Sequence, residues 1–273
     1  MAYVERDDVR LYYERTGEGP PLLLVSPLGW SARHWDQFQV SHFAADFEVI
    51  TFDHRGTGRS TAGTQPYSTR LFARDVVHLL EELDLLEPVF LLGHSSGGGV
   101  VQWVCLDQPE AVRGAVLVAS GSGRVDERPV ARSLSPELVA TLVEEGWPVF
   151  LQSWLQSPEM FFDAAPEVVE TFLGAHRGEY ATGLLSYLRH LQAGLEHETT
   201  AQLSEIEVPC FILVGDRDEA AAPGSANRIE TSLELAKHLF YAEYVEIEDA
   251  ALGLHIERPE AFNEAVRDFL IRH

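Results

Sequence analysis

The stretch VFLLGHSSGGGVV, residues 89–101, constrains the fold of this chain more than any other segment. An apolar run of four residues, VFLL, leads into the turn Gly93-His94-Ser95-Ser96-Gly97, and a glycine-rich apolar stretch follows it. A serine at the centre of such a tight strand-to-helix turn projects its hydroxyl above the edge of a sheet. Side chains in place of the flanking glycines would collide with the neighbouring strand or helix. We therefore predict a strand, a sharp turn and a helix, with Ser95 as a candidate nucleophile.

Short apolar runs alternate with amphipathic stretches along most of the chain, which is typical of a largely parallel sheet covered by helices. The predicted strands are VRLYYERTG, PLLLV, FEVITFD, VFLLG, GAVLVA, PCFILVG and AEYVEIE. The first alternates, and we interpret it as an edge strand; most of the others are continuously apolar, as in strands buried on both faces. One helix is expected to begin after a Ser68 cap and another at Pro259.

The strand pattern stops between about residues 126 and 207, where helical patterns and large apolar side chains take over. Helices inserted between two strands predict a lid over the carboxyl edge of the sheet, where open α/β sheets bind ligands. We expect residues 1–125 and 208–273 to form the core and residues 126–207 to form a helical lid. Its aromatic residues taken singly are typical of a core, but together they indicate an apolar cavity for a small substrate.

Composition excludes several classes of partner. The formal net charge of −23 over 273 residues disfavours nucleic acids, because repulsion replaces counterion release. The first ten residues lack an apolar secretory segment, and no apolar run approaches the length of a membrane span. Cys105 and Cys210 are interpreted as buried apolar residues rather than a disulfide. We expect a cytoplasmic monomer or homodimer that acts on a small molecule, without membrane association.

Together these motifs resemble the α/β-hydrolase superfamily over nearly the whole chain. FDHRGTGRS is similar to the segment after that family's fourth strand, VGDRDEAAAP to the turn after its seventh, and HIERPEAFNEAVRDFL to its last helix. The branch that it resembles most contains enol-lactonases, ring-cleavage-product hydrolases and proline iminopeptidases. The resemblance implies the α/β-hydrolase fold: a mostly parallel eight-stranded sheet flanked by helices, with a helical lid after strand six.

The resemblance also implies roles for particular residues. The acid of a catalytic triad would be Asp218, which would hold the tautomer of a histidine, whereas Asp216 is expected to bond to its own turn. The oxyanion hole would use the backbone N–H groups of Leu28 and Ser96. Relatives usually have His-Gly before Leu28, where this chain has Ser26-Pro27, and the proline brings no donor.

The catalytic histidine is missing from the position that the family implies. That residue usually stands five positions before the glutamate of ERPE, and this chain has Leu252 there. His255 follows three residues later and reaches Ser95 only if the loop is re-registered, since three residues span at most about 10 Å. The alternative is a histidine packed at the start of the last helix. His238 is expected near a helix end and His273 at the frayed terminus.

The sequence leaves two functions open. The first is a cofactor-independent serine hydrolase of a small, partly apolar ester, lactone or C–C ring-cleavage substrate, with Ser95 as nucleophile, His255 as base and Asp218 as acid. The second is a natural or engineered scaffold without an intact triad, which binds a small molecule or runs lyase or isomerase chemistry. No sequence motif indicates a metal. The predicted pocket residues are Trp30, His94, Trp147, Trp154, Phe161 and Leu252.

Overall fold

The computed structural model describes residues 2–85, 87–123, 144, 161, 163–219 and 227–273. Its strands are β1 (Ala2–Arg6), β2 (Val9–Thr16), β3 (Pro21–Val25), β4 (Glu48–Phe52), β5 (Val89–His94), β6 (Val112–Val118), β7 (Cys210–Gly215) and β8 (Ala242–Ile247). They form one eight-stranded sheet in the order β1-β2-β4-β3-β5-β6-β7-β8.

The sheet is antiparallel only at one end. β2 pairs antiparallel with both β1 and β4, and the remaining neighbours pair in parallel. The predicted mostly parallel eight-stranded sheet is therefore confirmed. The interpretation of VRLYYERTG as an edge strand is wrong, because β1 covers that edge. Val9, Arg10 and Leu11 of β2 alternate between buried and exposed, and the five-residue sequence of β1, AYVER, is too short to give a strand signal.

The described helices cover both faces of the sheet, and none of them is long and apolar enough to cross a membrane. Ser68 accepts a hydrogen bond from the Leu71 N–H at 3.1 Å, so the predicted cap is confirmed, and Pro259 begins the last helix as predicted. The helices are α1 (Gln39–Phe43), α2 (Thr69–Glu82), α3 (Ser96–Asp107), α4 (Pro166–Ala175), α5 (Leu184–Leu195), α6 (Arg228–His238), α7 (Leu254–Glu257) and α8 (Pro259–Arg272).

Each face of the sheet has its own apolar core. Leu23 and Leu91 point into the core that contains residues of α2 and α3, whereas Leu22 and Leu92 point into the core that contains residues of α8. All five residues of β3 are buried, as expected for a strand covered on both faces. Cys105 and Cys210 are both buried, and neither forms a disulfide.

The segment between β6 and β7 is described in part. Residues 161 and 163–205 contain α4, α5 and short 3-10 turns. Helix α5 packs next to Ser96 at the carboxyl end of the sheet. A Cβ added at Gly194 of α5 would lie 3.6 Å from the Cβ of Ser96. Trp147 and Trp154, two of the predicted pocket residues, lie outside the described residues. The lid as a whole stays a prediction.

Candidate active site

Ser95 occupies a strained turn between β5 and α3. Its backbone has φ 53° and ψ −122°, a conformation that a residue with a side chain rarely adopts. Such strain costs about 1–3 kcal/mol and persists only where the surroundings enforce it. Here the Ser95 N–H donates to the Val118 carbonyl at 2.7 Å, and the Gly98 N–H donates to the Ser95 carbonyl at 3.0 Å. The strand, turn and helix predicted from the sequence are all present.

The glycines of this turn allow backbone segments to touch. A Cβ added at Gly97 would lie 2.5 Å from the Val25 carbonyl oxygen and 2.6 Å from that of Ser26. A Cβ at Gly93 would lie 2.7 Å from the Gly97 carbonyl oxygen. Because these neighbours are backbone atoms, a side chain could not push them aside. The turn therefore needs glycine at both positions, as the sequence pattern predicted.

A cavity of about 340 Å³ lies against Ser95. Among the predicted site residues it is also lined by Leu28, Trp30, His94, Ser96 and Leu252. Asp218 and His255 are not among its described lining. Phe161 does not line it either and packs on Phe172 with 5.8 Å between ring centroids.

Further lining residues come from segments that carry no motif. One group lies on α5, where spacings of three and four residues bring side chains to one face, and the helical periodicity of GLLSYLRHLQAG could have identified it. A second group lies around the ends of β6 and the start of α6, and no sequence signal marks it. The missed residues include Pro27, His34, Ser120, Tyr187, His190, Leu191, Leu195, His197, Arg228 and Thr231.

The predicted oxyanion donors lie together, but one of them is engaged. The Leu28 N–H donates to the Ser96 hydroxyl oxygen at 2.9 Å. Ser96 is the first residue of α3, where the helix dipole favours negative charge. A substrate oxygen would therefore displace the Ser96 hydroxyl from Leu28 or accept a hydrogen bond from that hydroxyl.

Asp218 pairs with an arginine. It follows β7, its side chain is 2 % exposed, and its Oδ1 accepts a hydrogen bond from Nη1 of Arg228 at 2.9 Å. The Arg228 backbone N–H also donates to the Asp218 carbonyl at 3.1 Å. Arg228 is the first residue of α6 and lines the cavity. The expected acid thus holds a cation at the cavity wall.

His255 lies in α7, packed behind the cavity. Its ring is 1 % exposed and lies 4.4 Å from that of His34, 4.8 Å from that of His94 and 5.4 Å from that of Trp35, centroid to centroid. Within the described part of the chain neither ring nitrogen has a hydrogen-bond partner. Burial, and then the neighbouring histidines, hold its pKa well below the usual range, so the ring is neutral. Within the described residues no hydrogen bond joins His255 to Ser95 or Asp218, and its role as base stays a prediction.

His94 lines the cavity, but both of its ring nitrogens are engaged. Nε2 lies 2.9 Å from the Leu252 carbonyl oxygen, which can only accept, so Nε2 carries the proton. Nδ1 must then accept the Nε2–H of His34, 2.8 Å away. Burial lowers the pKa of His94 to about 3. A neutral ring whose lone pair already accepts a hydrogen bond is a poor general base at neutral pH.

Three histidines are close enough to share a metal ion. Ligand atoms of His34, His94 and His255 lie within 4.8 Å of one another, and all three residues are buried. Neutral imidazole is a zinc ligand. In the arrangement described, however, the His34–His94 hydrogen bond occupies two of the nitrogens, and a metal would have to replace it. These residues could hold an ion only after their rings reorient.

Comparison with known proteins gives a consistent result. The family described as alpha/beta hydrolase fold matches residues 20–259. The provisionally named carbamate hydrolase RutD of Azorhizobium caulinodans is 28% identical over 98% of this chain and 98% of its own length. The 3-oxoadipate enol-lactonase 2 of Acinetobacter baylyi is 27% identical over 97% of this chain and 94% of its own.

A solved structure extends the likeness to the fold. The enol-lactonase from Burkholderia xenovorans superposes with a TM-score of 0.81 over 99% of this chain and 100% of its own, at 24% identity. The match to the family covers well over half of the sequence, and the relatives bear names of hydrolases. The chain belongs to the alpha/beta hydrolase fold family.

Proposed function

We propose that this chain is an enzyme for a small, partly apolar carbonyl compound, such as an ester, a lactone or a C–C ring-cleavage product, and that Ser95 is the group that meets the carbonyl carbon. The observation that carries this proposal is the strained turn of Ser95 beside a cavity of about 340 Å³. Strain of this kind is kept at positions where a side chain must be presented to a ligand. The names of the related hydrolases agree with this substrate class.

The wall near Ser95 also supports carbonyl binding. Leu28 and Ser96, whose N–H groups would stabilise an oxyanion, line the same cavity. The Ser96 hydroxyl now accepts the Leu28 N–H. A bound carbonyl oxygen would take over this donor, which adds about 3–4 kcal/mol of transition-state stabilisation in other serine enzymes.

We expect the removal of the Ser95 proton to limit the rate. A serine hydroxyl needs a base to become nucleophilic at neutral pH. His255 lies behind the cavity with a lowered pKa, and Leu252 presents an apolar side chain where a base is expected. Loss of the histidine costs a triad about 10⁶-fold in turnover and leaves about 10³–10⁴-fold over water. We therefore expect slow hydrolysis.

A second candidate function is favoured by the Asp218–Arg228 ion pair. Because Oδ1 of Asp218 is bonded to the Arg228 guanidinium, the negative charge that would stabilise a protonated histidine is already largely balanced. The cavity would then bind its ligand without hydrolysing it, or would promote a lyase or isomerase reaction in which no water attacks. Ser95 would serve there as a hydrogen-bonding group.

The experiment is ester turnover combined with active-site labelling. p-Nitrophenyl acetate and butyrate are assayed with the unmodified chain, Ser95→Ala and His255→Gln, and a fluorophosphonate probe tests labelling at Ser95. The first candidate predicts slow labelling and turnover below about 1 s⁻¹ that Ser95→Ala abolishes. Equal turnover in Ser95→Ala and the unmodified chain would remove Ser95 from the chemistry and favour the second candidate.

His255→Gln tests whether, in the hydrolase, His255 acts as the base or only packs against its neighbours. If His255 is the base, this variant loses turnover as completely as Ser95→Ala does. If His255 is a packing residue, turnover changes less than about tenfold, which corresponds to about 1.4 kcal/mol in the activation barrier. Circular dichroism and the midpoint of thermal unfolding check that the variant is folded.

A further inference from the structure

We propose that His34, His94 and His255 form a binding site for one divalent transition-metal ion, such as Zn²⁺, at the wall of the cavity. The inference goes beyond the proposed function and does not depend on a reaction at Ser95. The three histidines come from parts of the chain that are distant in sequence, namely the 3-10 turn Ala32–Trp35, the end of β5 and α7. A short spacing motif in the sequence therefore cannot mark this site.

The separations of the three rings fit one shared ion. The ring centroid of His34 lies 5.0 Å from that of His94 and 4.4 Å from that of His255, and the last two are 4.8 Å apart. Three imidazoles on one tetrahedral zinc ion, with Zn–N distances of about 2.0–2.1 Å, hold their centroids about 5 Å apart. One ligand nitrogen from each ring lies within 4.8 Å of the other two. The fold therefore brings the rings to the separation that coordination needs.

His94 is oriented as a metal ligand. Its Nε2–H donates to the Leu252 backbone carbonyl oxygen at 2.9 Å, so the lone pair of the ring is on Nδ1. A hydrogen bond from the other ring nitrogen to a carbonyl oxygen fixes the tautomer and the orientation of histidines in metal sites. The Nδ1 lone pair points towards Nε2 of His34, 2.8 Å away. An ion between these two rings would accept that lone pair.

The change that binding requires at His34 is small. The Nε2–H of His34 now donates to His94, and the ion takes its place once the proton has moved to Nδ1 of the same ring. Two nitrogens on a tetrahedral zinc ion are about 3.3 Å apart, so the 2.8 Å separation has to open by about 0.5 Å. Loss of this one hydrogen bond lowers the affinity for the ion by about tenfold.

His255 has buried polar atoms that the described residues do not satisfy. Neither of its ring nitrogens forms a hydrogen bond. The His34 backbone carbonyl acts weakly on the ring, but no hydrogen bond of normal geometry joins the two. The ring packs against Trp35 and Phe172, with centroids 5.4 and 5.9 Å away. An unpaired polar atom in such apolar surroundings destabilises the fold, and a metal ion would use the lone pair of one nitrogen.

The ligand set selects the kind of ion. The described cluster offers ring nitrogens and no carboxylate, which disfavours calcium and magnesium ions, because these bind oxygen. Imidazole suits zinc, copper, nickel and iron ions. Three neutral ligands leave the charge of the ion unbalanced, and a fourth ligand has to come from elsewhere. His34 and His94 line the cavity, which gives room for water or an anion in that position.

The test is a titration of the full chain with Co²⁺, a spectroscopic substitute for zinc, followed by displacement with Zn²⁺. We expect the intense visible bands of four-coordinate Co²⁺ and a Kd for Zn²⁺ below about 10 µM. His34→Gln and His255→Gln should each weaken Zn²⁺ binding at least about a hundredfold, because one of three ligands is lost. His238→Gln is the matched control, since His238 is an exposed histidine at the end of α6, and it should leave binding unchanged.

X-ray absorption of the zinc-loaded, unmodified chain keeps the test independent of whether the variants fold. It should show three imidazole ligands at about 2.0–2.1 Å. The proposal is overturned if Zn²⁺ binds more weakly than about 10 µM, if the weak bands of six-coordinate Co²⁺ appear, or if fewer than three imidazoles surround the zinc. It is also overturned if a folded His255→Gln binds Zn²⁺ as tightly as His238→Gln does.

Discussion

The turn that carries Ser95 and the segments that carry Arg228 and Leu252 border the same cavity but are held in different ways. The turn is fixed by backbone contacts, since a Cβ added at Gly93 or Gly97 would meet backbone carbonyl oxygens. Arg228 and Leu252 present side chains, and one substitution can change the chemistry of a side chain without moving the backbone. The backbone of the Ser95 turn can therefore stay the same while the side chains on the opposite wall of the cavity change.

Five buried histidines in and around the cavity give the largest expected effect. Burial lowers the pKa of His54 and His197 to about 4 and that of His94, His176 and His190 to about 3. Their pKa in the unfolded chain is about 6.5, so below that pH the unfolded state binds more protons. Stability is then lost as the pH falls from about 6.5 towards these folded values, by about 1.4 kcal/mol per pH unit for each histidine.

The loss of stability summed over five such histidines is enough to unfold a typical domain near about pH 5. Urea unfolding between pH 8 and pH 5 measures this loss. In His176→Gln the slope of the free energy of unfolding against pH should fall by the equivalent of about one proton. An unchanged slope in His176→Gln, or stability that is flat down to pH 5, would show that these rings are not kept neutral by burial.

Gly97→Ala tests the turn. The new Cβ would meet backbone oxygens at 2.5 and 2.6 Å, so we expect a loss of at least about 3 kcal/mol in the free energy of unfolding. Gly174→Ala is the matched control, because nothing lies within 4 Å of its Cβ in α4 and alanine favours a helix by up to about 1 kcal/mol. Equal effects of the two substitutions would contradict the claim that backbone contacts fix the turn.

Arg228→Gln tests the opposite region. Asp218 is buried, and loss of its cation should cost about 3 kcal/mol in the free energy of unfolding. The double variant Asp218→Asn/Arg228→Gln should cost less than Arg228→Gln alone, because no buried charge is left. Chemical denaturation of the unmodified chain, Asp218→Asn, Arg228→Gln and the double variant gives the coupling energy. A coupling near zero would mean that the pair does not hold Arg228 in place.

Ser96→Ala has the smallest expected effect. It frees the Leu28 N–H for a substrate oxygen and removes one hydrogen bond, which contributes about 1 kcal/mol to stability. Ester turnover should change by less than about tenfold. Steady-state kinetics measures it, and complete loss of turnover would give the Ser96 hydroxyl a direct part in the reaction.

The same contrast explains what the sequence could predict. The turn follows from a local pattern, an apolar strand and two glycines, and the strands follow from apolar runs that are buried on both faces. The pairing of Asp218 with Arg228 depends on where α6 begins relative to the end of β7, and a charged residue at a helix start has no periodic signature. The position of His255 behind the cavity likewise depends on packing against α4 and the segment after β3, which are distant in sequence.

We hold that Asp218 binds Arg228 and that no histidine stands at position 252 to accept the proton of Ser95. Leu252→His, alone and combined with Arg228→Gln, tests this claim most directly. The measurement is kcat/KM for p-nitrophenyl butyrate. We predict a rise of at least about a hundredfold in Leu252→His, out of the roughly 10⁶-fold that a triad histidine contributes, and a further rise when Arg228→Gln frees Asp218. Turnover of about 1–10³ s⁻¹ in the unmodified chain, with no gain in either variant, would contradict this account.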